Sequence, residues 1–283
     1  MLTPPHPLQY EPLLRAALLE DLGTAGDLTT DAIVAPGTTA SGTIVARAPG
    51  RVAGVAIASA AFTLLDHDAE VSTAVDDGTT VERGAVLATV AGPARALLSA
   101  ERVALNLLGR LCGIATATAA LAAAVGGHRA RIVPTRKTTP GLRTLERYAV
   151  RAGGGADHRF GLHDGILIKD NHLLVAGDIA TAVKRARDHA GHMVKIQVEV
   201  DTLDQLDAAL AAGIDAILLD NMPPAMLAEA VERVAGRAIT EASGGIDPTT
   251  VAAVAATGVD VISSGWITHS APALDVALDF TPT

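Results

Sequence analysis

The sequence contains a single cysteine, Cys112, and aromatic residues make up only 2% of its 283 positions. One cysteine excludes a disulfide framework and a multi-cysteine metal site within one chain, and it favours a reducing compartment. With so few aromatic residues the apolar core must consist of Ala, Val, Leu and Ile, which suit close packing of helices on a sheet. The composition therefore favours an α/β fold.

An excess of basic residues is also missing. The formal net charge is −9 and the isoelectric point is near 5.4, which argues against a nucleic-acid-binding surface. The N-terminal segment MLTPPHPLQYEPLL has neither the basic stretch nor the continuous apolar core of a signal peptide. No later segment reaches the length of about 18 residues without polar interruption that a membrane span needs. We therefore expect a cytoplasmic protein with no nucleic-acid or membrane partner.

Apolar residues are plentiful, at 49% of the chain, and their spacing changes along it. Residues 8–22 carry leucines at helical spacing, and residues 95–125 form a long helical pattern without proline. Between them, residues 38–90 contain short β-like runs separated by Gly, Pro and Asp-Asp-Gly. The first part of the chain is therefore predicted to be a compact β-rich unit followed by a long helix.

Beyond residue 130, apolar runs ending in polar residues alternate with helical stretches. The polar ends are Lys137, Lys169, Glu199, Asp220, Glu241 and Ser263, which are 32, 30, 21, 21 and 22 residues apart. This spacing predicts six parallel strands joined by helices, in either an open doubly wound sheet or a closed barrel. The barrel is favoured because functional groups follow nearly every strand, and the strand ends of a barrel converge at one mouth.

The residues at these strand ends predict a polarised pocket. Its cations are Arg136, Lys137, His158, Arg159 and Lys169, and its carboxylates include Glu199 and Asp220. The glycine-rich segments Ser243-Gly244-Gly245 and Ser264-Gly265, with His269 close behind, are typical of phosphate-binding loops in barrels. The alternatives are solvated surface charges and two ordinary turns. In GGGADHRFGLHD, His158 and Arg159 are interpreted as anion ligands, since a zinc site needs three or four converging ligands, and His163 is expected to serve only packing or hydrogen bonding.

The ordered segments that carry this chemistry resemble the quinolinate phosphoribosyltransferase family over essentially the whole chain. They are ALLEDLGTAGDLTT, SAERVALNLLGRLCGIAT, TRKTTPGLR, YAVRAGGGADHRFGLHDGILIKDNH, EVD, LLDN, EASGGI and ISSGWITHSAPALDVALDF. The resemblance implies an N-terminal α/β sandwich domain, residues 1–110, and an open-faced α/β barrel, residues 111–270. It also implies that a C-terminal helix, residues 271–283, joins the first domain, and that the chain forms a homodimer or a higher assembly.

The family transfers phosphoribosyl from phosphoribosyl diphosphate to quinolinate with loss of carbon dioxide, a step of de novo NAD synthesis. By resemblance, Lys137, Lys169, Glu199 and Asp220 are the catalytic residues, and Arg102 is donated across the dimer. Glu199 and Asp220 are also the expected ligands of Mg²⁺ near the ribose. The cationic cradle is assigned to Arg136, Lys137, His158, Arg159 and Lys169, and the 5-phosphate to Ser243, Gly244, Gly245, Ser264, Gly265 and His269.

One residue departs from the family pattern, since Pro134 stands where relatives usually have aspartate. Proline has no backbone N–H and is poorly tolerated in a central strand, so a bulge or an unpaired position is expected there. Three alternative functions stay open at this point. The first is the related protein of molybdenum-transport operons, the second a nicotinate phosphoribosyltransferase, and the third a non-catalytic anion-binding homologue.

Overall fold

The computed structural model describes residues 2–281. They divide into two compact units, each with its own sheet. The first unit contains the residues up to 119, residues 139–154 and the residues from 271 onward; the second contains residues 120–138 and 155–270. This division differs from the predicted domain boundary at residue 110, because the long helix continues past that position and the segment 139–154 groups with the first unit.

The first unit is built on a four-stranded antiparallel sheet with the order β12-β1-β5-β3. Its strands are β1 (Thr39–Ala46), β3 (Glu70–Thr73), β5 (Val86–Pro93) and β12 (Val276–Thr281), with a separate pair β2 (Gly50–Arg51) and β4 (Thr80–Val81). Its helices are a 3-10 turn (Pro7–Gln9), α1 (Glu11–Leu22), α2 (Leu28–Ile33), α3 (Val55–Leu65), most of α4 (Ala94–Val125) and α5 (Arg143–Ala152).

The helix α3 corrects the prediction that residues 38–90 are mainly β. The segment VAIASAAFTLL is apolar at nearly every position, so it has neither the alternation of a strand nor a clear helical stripe. The carboxylate of Asp77 accepts hydrogen bonds from the backbone N–H groups of Gly54, at 2.8 Å, and Val55, at 3.2 Å, at the start of the helix. A partner more than 20 residues away along the chain therefore helps to decide that this segment is helical.

The C-terminal segment also differs from its prediction. Residues 276–281 form strand β12, which pairs antiparallel with β1 from Ser41 and Thr281 to Ala46 and Val276. The predicted helix over 271–283 is therefore wrong for the described residues, and positions 282–283 lie outside them. The segment VALDFT is short enough to fit either structure, and the exposed edge of β1 provides the hydrogen bonds that select the strand.

Helix α4 is long and apolar enough by length and composition to cross a bilayer, but most of its apolar stretch is buried inside the protein. Its Cys112 side chain is fully buried next to the backbone of Ala53. Burial raises the pKa of the Cys112 thiol to about 12. The cysteine is therefore a small core residue.

The second unit is a six-stranded parallel sheet with the order β6-β11-β10-β9-β8-β7. Its strands are β6 (Arg131–Pro134), β7 (Ile166–Ile168), β8 (Ile196–Val200), β9 (Ala216–Asp220), β10 (Ile239–Ser243) and β11 (Val261–Ser264). Its helices are α6 (Asp170–Ala176), α7 (Ile179–His189), α8 (Leu203–Ala211), α9 (Pro224–Val234), α10 (Val251–Ala255) and α11 (Trp266–His269). Neighbours follow chain order, except that β6 lies beside β11.

Strands β6 and β7 do not pair with each other within residues 2–281, so the sheet is a barrel with one open side. This arrangement confirms the predicted open-faced α/β barrel. It also accommodates Pro134, which is the last residue of the edge strand β6 and is paired in register with Ser264 of β11. An edge strand tolerates proline because one of its sides has no neighbouring strand. The bulge expected at this position is therefore not needed, and the described β6–β11 pairing shows no register shift.

Candidate active site

A cavity of about 550 Å³ opens at the carboxyl ends of the barrel strands. The residues that line it are Thr135, Arg136, Lys137, His158, Arg159, Leu167, Lys169, Glu199, Leu218, Asp220, Asn221, Glu241, Ser243, Gly244, Gly245 and Ser263. All of them belong to the second unit. Strand polarity explains this convergence, since the carboxyl ends of parallel strands meet at one end of a barrel.

The five predicted cations all line this cavity and come from three segments of the chain. Arg136 and Lys137 follow strand β6, His158 and Arg159 lie in the loop before β7, and Lys169 directly follows β7. Arg136 and Lys137 are exposed, whereas the other three are half-buried. The cavity is therefore suited to a ligand with several negative charges, and it leaves part of each cation open to bind one.

The carboxylates are arranged by the register of the sheet. Glu199 of β8 is paired with Leu218 of β9, and Leu218 is paired in turn with Glu241 of β10. Asp220 and Ser243 form the next inward-facing pair, two residues nearer the mouth. Because side chains of a strand alternate between faces, residues two apart point to the same side. Glu199 and Glu241 therefore lie at the same level in the barrel interior, and Asp220 lies one level nearer the mouth.

Lys169 and Glu199 form an ion pair inside the cavity. The Lys169 ammonium is partly open to solvent, and the Glu199 carboxylate is largely covered. Such a pair neutralises part of the charge of the pocket. It also keeps the ammonium group close to the place where an anionic substrate meets the carboxylates.

Glu241 is a buried carboxylate at the floor of the cavity, with 4% of its surface exposed. It accepts hydrogen bonds from His158 Nε2, at 3.0 Å, and from Gln197 Nε2, at 2.8 Å. Burial raises the pKa of the Glu241 carboxyl, but the hydrogen bonds and the charge of His158 outweigh this effect and hold the pKa below its usual range. The ionised carboxylate therefore orients the imidazole of His158 from below.

The loop that carries Arg159 is closed by Asp164. The Asp164 carboxylate accepts the N–H groups of Phe160, at 2.5 Å, and Gly161, at 2.8 Å. Burial raises the pKa of the Asp164 carboxyl, but these hydrogen bonds and the charge of His163 lower it by more. The pKa of Asp164 is therefore below its usual range. Burial and the nearby Arg136 lower the pKa of Arg159. The loop thus places Arg159 in the same pocket as Arg136, and the two cations repel each other.

The segment Ser243-Gly244-Gly245 requires its first glycine. Gly244 has a φ of +98°, and a Cβ built on it would lie 2.1 Å from Oδ1 of Asn221. Asn221 itself has a positive φ of 53°, and its N–H donates to the carbonyl of Ser243 at 2.9 Å. Its side-chain amide also donates to Asp220 at 2.7 Å. Asn221 therefore joins the loop after β9 to the loop after β10, and its side-chain amide orients the carboxylate of Asp220.

A second cavity of about 200 Å³ adjoins the first and shares Thr135, Lys137, Ser243, Gly244, Gly245 and Ser263 with it. Its other lining residues are Ile246, Asp247, Gly265, Trp266 and His269. Gly265 and His269 therefore lie beside the loop Ser243-Gly244-Gly245, as the phosphate-loop prediction requires. Lys137 and His269 bring side chains with nitrogen donors to this small space, and Asp247 brings a carboxylate.

Two predicted residues have different surroundings. Ser264 is not among the described residues that line either cavity, and its buried hydroxyl donates to the carbonyl of Ile246 at 2.7 Å. Arg102 is exposed on helix α4 and belongs to the first unit. Its predicted role, donation to a neighbouring subunit, stays a prediction.

Several lining residues were absent from the predicted site. They are Thr135, Asn221, Glu241 and Ser263, with Gln197 bonded to Glu241. Glu241 and Ser263 end apolar runs in the sequence, and the alternation of their strands places them on the same face as Ser243 and Val261 respectively. Strand alternation would therefore have found two of them, whereas the role of Asn221 depends on a positive φ that the sequence does not announce.

Known proteins of the same kind match this chain over nearly its whole length. The sequence profile of the quinolinate phosphoribosyl transferase N-terminal domain matches residues 27–112, and that of the C-terminal domain matches residues 114–279. A probable carboxylating nicotinate-nucleotide pyrophosphorylase from Bacillus subtilis (strain 168) is 48% identical over 274 residues, covering 97% of this chain and 94% of that protein. The carboxylating nicotinate-nucleotide pyrophosphorylase of Mycobacterium leprae (strain TN) is 46% identical, covering 94% and 95%.

Solved structures agree with these matches. The crystal structure of NadC from Streptococcus pyogenes is similar to this chain with a TM-score of 0.94 and 40% identity, and the similarity covers 99% of both chains. The match to the C-terminal domain profile spans all the strand ends that form the cavity. The chain belongs to the quinolinate phosphoribosyltransferase family.

Proposed function

We propose that the larger cavity is where this chain carries out the family reaction, the transfer of phosphoribosyl from phosphoribosyl diphosphate to quinolinate. The products are nicotinate mononucleotide, diphosphate and carbon dioxide, and the reaction is a step of de novo NAD synthesis. One observation carries the assignment to this cavity: five cationic side chains and the carboxylates of Glu199, Asp220 and Glu241 converge on a single space of about 550 Å³.

The cations suit the two carboxylates of quinolinate. A guanidinium pairs with a carboxylate through two parallel hydrogen bonds, and an ammonium provides a compact charge. We assign Arg136, His158 and Arg159 to the quinolinate carboxylates, and Lys137 and Lys169 to groups shared between quinolinate and the diphosphate. His158 is suited to this task because Glu241 accepts a hydrogen bond from its Nε2 and so fixes the orientation of the ring.

The carboxylates suit the ribose. When the bond between C1 of ribose and the diphosphate oxygen breaks, its electrons leave with the diphosphate and positive charge develops at C1. Glu199 and Asp220 stabilise that charge until the ring nitrogen of quinolinate forms the new bond. As diphosphate departs, Lys169 is free to exchange its ion pair with Glu199 for the leaving group. No covalent nucleophile is needed.

Loss of carbon dioxide follows on the quinolinium adduct. The bond between C2 and its carboxylate carbon breaks, the electron pair is drawn towards the positively charged ring nitrogen, and a proton then binds at C2. Arg136 and Arg159 hold the other carboxylate in place during this step. The half-buried position of Arg159 limits the contact of this arginine with water, which strengthens its charge interaction with the carboxylate.

Mg²⁺ fits the acidic side of the cavity. It usually binds through one or two protein carboxylates together with substrate phosphates and water, and Asp220 offers one such carboxylate. Glu199 is the second candidate, although it is already paired with Lys169. When bound, the ion would neutralise charge on the departing diphosphate. Asp220 is the better ligand because it accepts a hydrogen bond from the neutral amide of Asn221, whereas Glu199 is paired with the charged ammonium of Lys169.

We assign the smaller cavity to the 5-phosphate of phosphoribosyl diphosphate, with Ser243, Gly244, Gly245, Gly265 and His269 around it. We further propose that the chain works in the cytoplasm as a homodimer, in which Arg102 reaches the site of the neighbouring subunit. The exposed position of Arg102 on helix α4 supports that role, since the side chain is available to a partner.

The test is a turnover assay of the purified protein with Mg²⁺, phosphoribosyl diphosphate and quinolinate. Formation of nicotinate mononucleotide and carbon dioxide is the expected result. The variant Lys169→Ala should lose activity by about 100-fold or more, the size seen when one charge-stabilising group is removed. Lys195→Ala is the matched control, because Lys195 precedes β8 at the opposite end of the barrel and pairs with Asp215 at 3.4 Å.

No product anywhere between about pH 6 and about pH 9, a range that spans the protonation of histidine, would overturn the proposed function. Equal losses in Lys169→Ala and Lys195→Ala would instead count against the assignment to this cavity. The two failures can be told apart because the first concerns the unmodified protein.

A further inference from the structure

Thr268 has no part in the roles proposed above, although its side chain contacts the backbone of two residues that do, Lys137 and Gly265. The residue is in helix α11, and none of its surface is exposed. Its hydroxyl oxygen lies 2.9 Å from the backbone carbonyl oxygen of Lys137 and 3.1 Å from that of Gly265. A threonine hydroxyl has one proton to donate, so these two carbonyls compete for it.

The carbonyl of Lys137 has the stronger need for that proton. Gly265 already accepts the backbone N–H groups of Thr268, at 3.1 Å, and His269, at 3.0 Å, in the first turn of α11. The carbonyl of Lys137 is the nearer of the two acceptors to the hydroxyl. A buried carbonyl that loses its donor costs free energy, so the hydroxyl of Thr268 has a definite structural task.

The effect of this bond reaches the side chain of Lys137. The N–H of Lys137 donates to the hydroxyl of Thr135 at 3.1 Å, so side chains hold both polar groups of its backbone. A Cβ built on Gly265 would lie 3.1 Å from Cδ of Lys137 and also 3.1 Å from the ring of His269. The stem of the lysine and the imidazole therefore flank Gly265, and both line the smaller cavity.

We propose that Thr268 is a positioning residue, which holds the backbone of Lys137 against helix α11 so that Lys137 and His269 meet the phosphate of the substrate together. This inference rests on the proposed function, because it takes the smaller cavity as the 5-phosphate site. Thr268 itself does not touch the substrate. It acts through the placement of Lys137 relative to the turn that carries Gly265 and His269.

Thr268→Val removes the hydroxyl and keeps the shape of the side chain. We expect the KM for phosphoribosyl diphosphate to rise by about ten-fold, the size that one unsatisfied buried hydrogen-bonding group produces. Thr268→Ser keeps the hydroxyl, so its KM should stay close to that of the unmodified protein. If the valine variant does not fold, Thr268→Ala carries the same prediction, because it removes the hydroxyl and adds no bulk.

Thr240→Val is the control for a purely structural effect. Thr240 is also buried, with 2% of its surface exposed, and its hydroxyl donates to Asp260 at 2.7 Å near the start of β10. This variant should lower the melting temperature and leave the KM for phosphoribosyl diphosphate unchanged. Measuring both quantities for every variant separates a loss of stability from a loss of positioning.

A double-mutant cycle with Lys137→Ala completes the test. Alanine keeps the carbonyl at position 137 and removes the side chain that Thr268 is proposed to place. In that background, Thr268→Val should change the affinity for phosphoribosyl diphosphate, measured by calorimetry, by less than about two-fold, because the two effects are coupled.

Three results would overturn the inference: an unchanged KM in Thr268→Val, equal changes in the serine and valine variants, or a full ten-fold penalty in the Lys137→Ala background. None of them would affect the proposed function, which is judged on turnover by the unmodified protein in the same assay.

Discussion

Glu241 is a buried, negatively charged residue that orients a cavity residue, His158, although its own charge repels an anionic ligand. Its carboxylate lies under a cluster of cations, and it accepts hydrogen bonds from both His158 and Gln197. Burying a carboxylate is costly unless it is paired and hydrogen-bonded. The pairing meets that cost and, in the same contacts, fixes the direction in which His158 faces the cavity.

The lowered pKa of Glu241 predicts a particular dependence of stability on pH. In the unfolded chain the pKa of a glutamate carboxyl is about 4.3, and in the folded protein the pKa of Glu241 is lower than this value. Its stabilising contribution is therefore fully present above the unfolded value and is lost as pH falls through the folded value. In Glu241→Gln this contribution is absent at every pH.

The melting temperature of the unmodified protein should therefore fall more steeply than that of Glu241→Gln between about pH 4.5 and about pH 3. Thermal unfolding at several pH values measures both curves. Curves that stay parallel over this interval would show that Glu241 does not titrate below its unfolded value. Activity of Glu241→Gln near neutral pH, measured alongside, reports whether His158 keeps its orientation.

The structure of the loop after β10 depends on the backbone conformation of Gly244, which has a φ of +98°. Gly244→Ala puts a Cβ in a left-handed conformation and only 2.1 Å from the amide oxygen of Asn221, so Asn221 and the attached Asp220 must move. Gly213 is a matched control, because its φ is +75° and no described atom lies within 4 Å of its Cβ position.

Both glycine variants should lose about 1 kcal/mol of stability from the left-handed conformation. Only Gly244→Ala should also lose kcat/KM, by about ten-fold or more, since small misplacements of substrate-binding groups are costly in enzymes. Chemical denaturation and steady-state kinetics measure the two effects. Equal kinetics in both variants would mean that the loop does not position Asp220.

The long helix and the regular helices of the barrel could be predicted as elements from the sequence. Helices α7, α8 and α9 each lie between two barrel strands, as the predicted alternation of strands and helical stretches requires, and the predicted pattern over 95–125 is helix α4 (Ala94–Val125). Helix α6 was not predicted, because only Lys169 separates it from strand β7, and its seven residues are too few for a periodic pattern. Elements without a clear periodic pattern are decided by their tertiary neighbours, as α3 and β12 also show.

At the level of the whole molecule, the proposed role of Arg102 predicts complementation between two inactive variants. When Arg102→Ala and Lys137→Ala proteins exchange subunits, half of the dimers are mixed, and one of the two sites in each mixed dimer is intact in both chains. Activity should therefore recover to about a quarter of that of the unmodified protein.

Lys137→Ala mixed with Lys169→Ala is the control, because both substitutions lie in the same cavity. Every site of that mixture keeps one defect, so no activity should return. Recovery in both mixtures, or in neither despite proven exchange of subunits, would contradict the donation of Arg102.

The sequence by itself determined which charged residues and glycines this protein has for binding a ligand, and in which order the strands that carry them follow one another along the chain. Charge type, glycine placement and the spacing of apolar runs are local properties, so they were sufficient to predict a barrel and ten of the sixteen residues that line its cavity. Arg136, Lys169, Glu199 and Asp220 were all predicted from their positions at strand ends, and all of them line the cavity.

Only the tertiary structure decided which of these groups contact one another. The ion pair of Lys169 with Glu199, the bond from His158 to Glu241 and the bond from Thr268 to Lys137 join residues 30, 83 and 131 positions apart. The same is true of β12, which became a strand because an edge of β1 was free to pair with it. Such contacts depend on the register and closure of the sheets, which arise from packing over the whole chain and leave no local signal in the sequence.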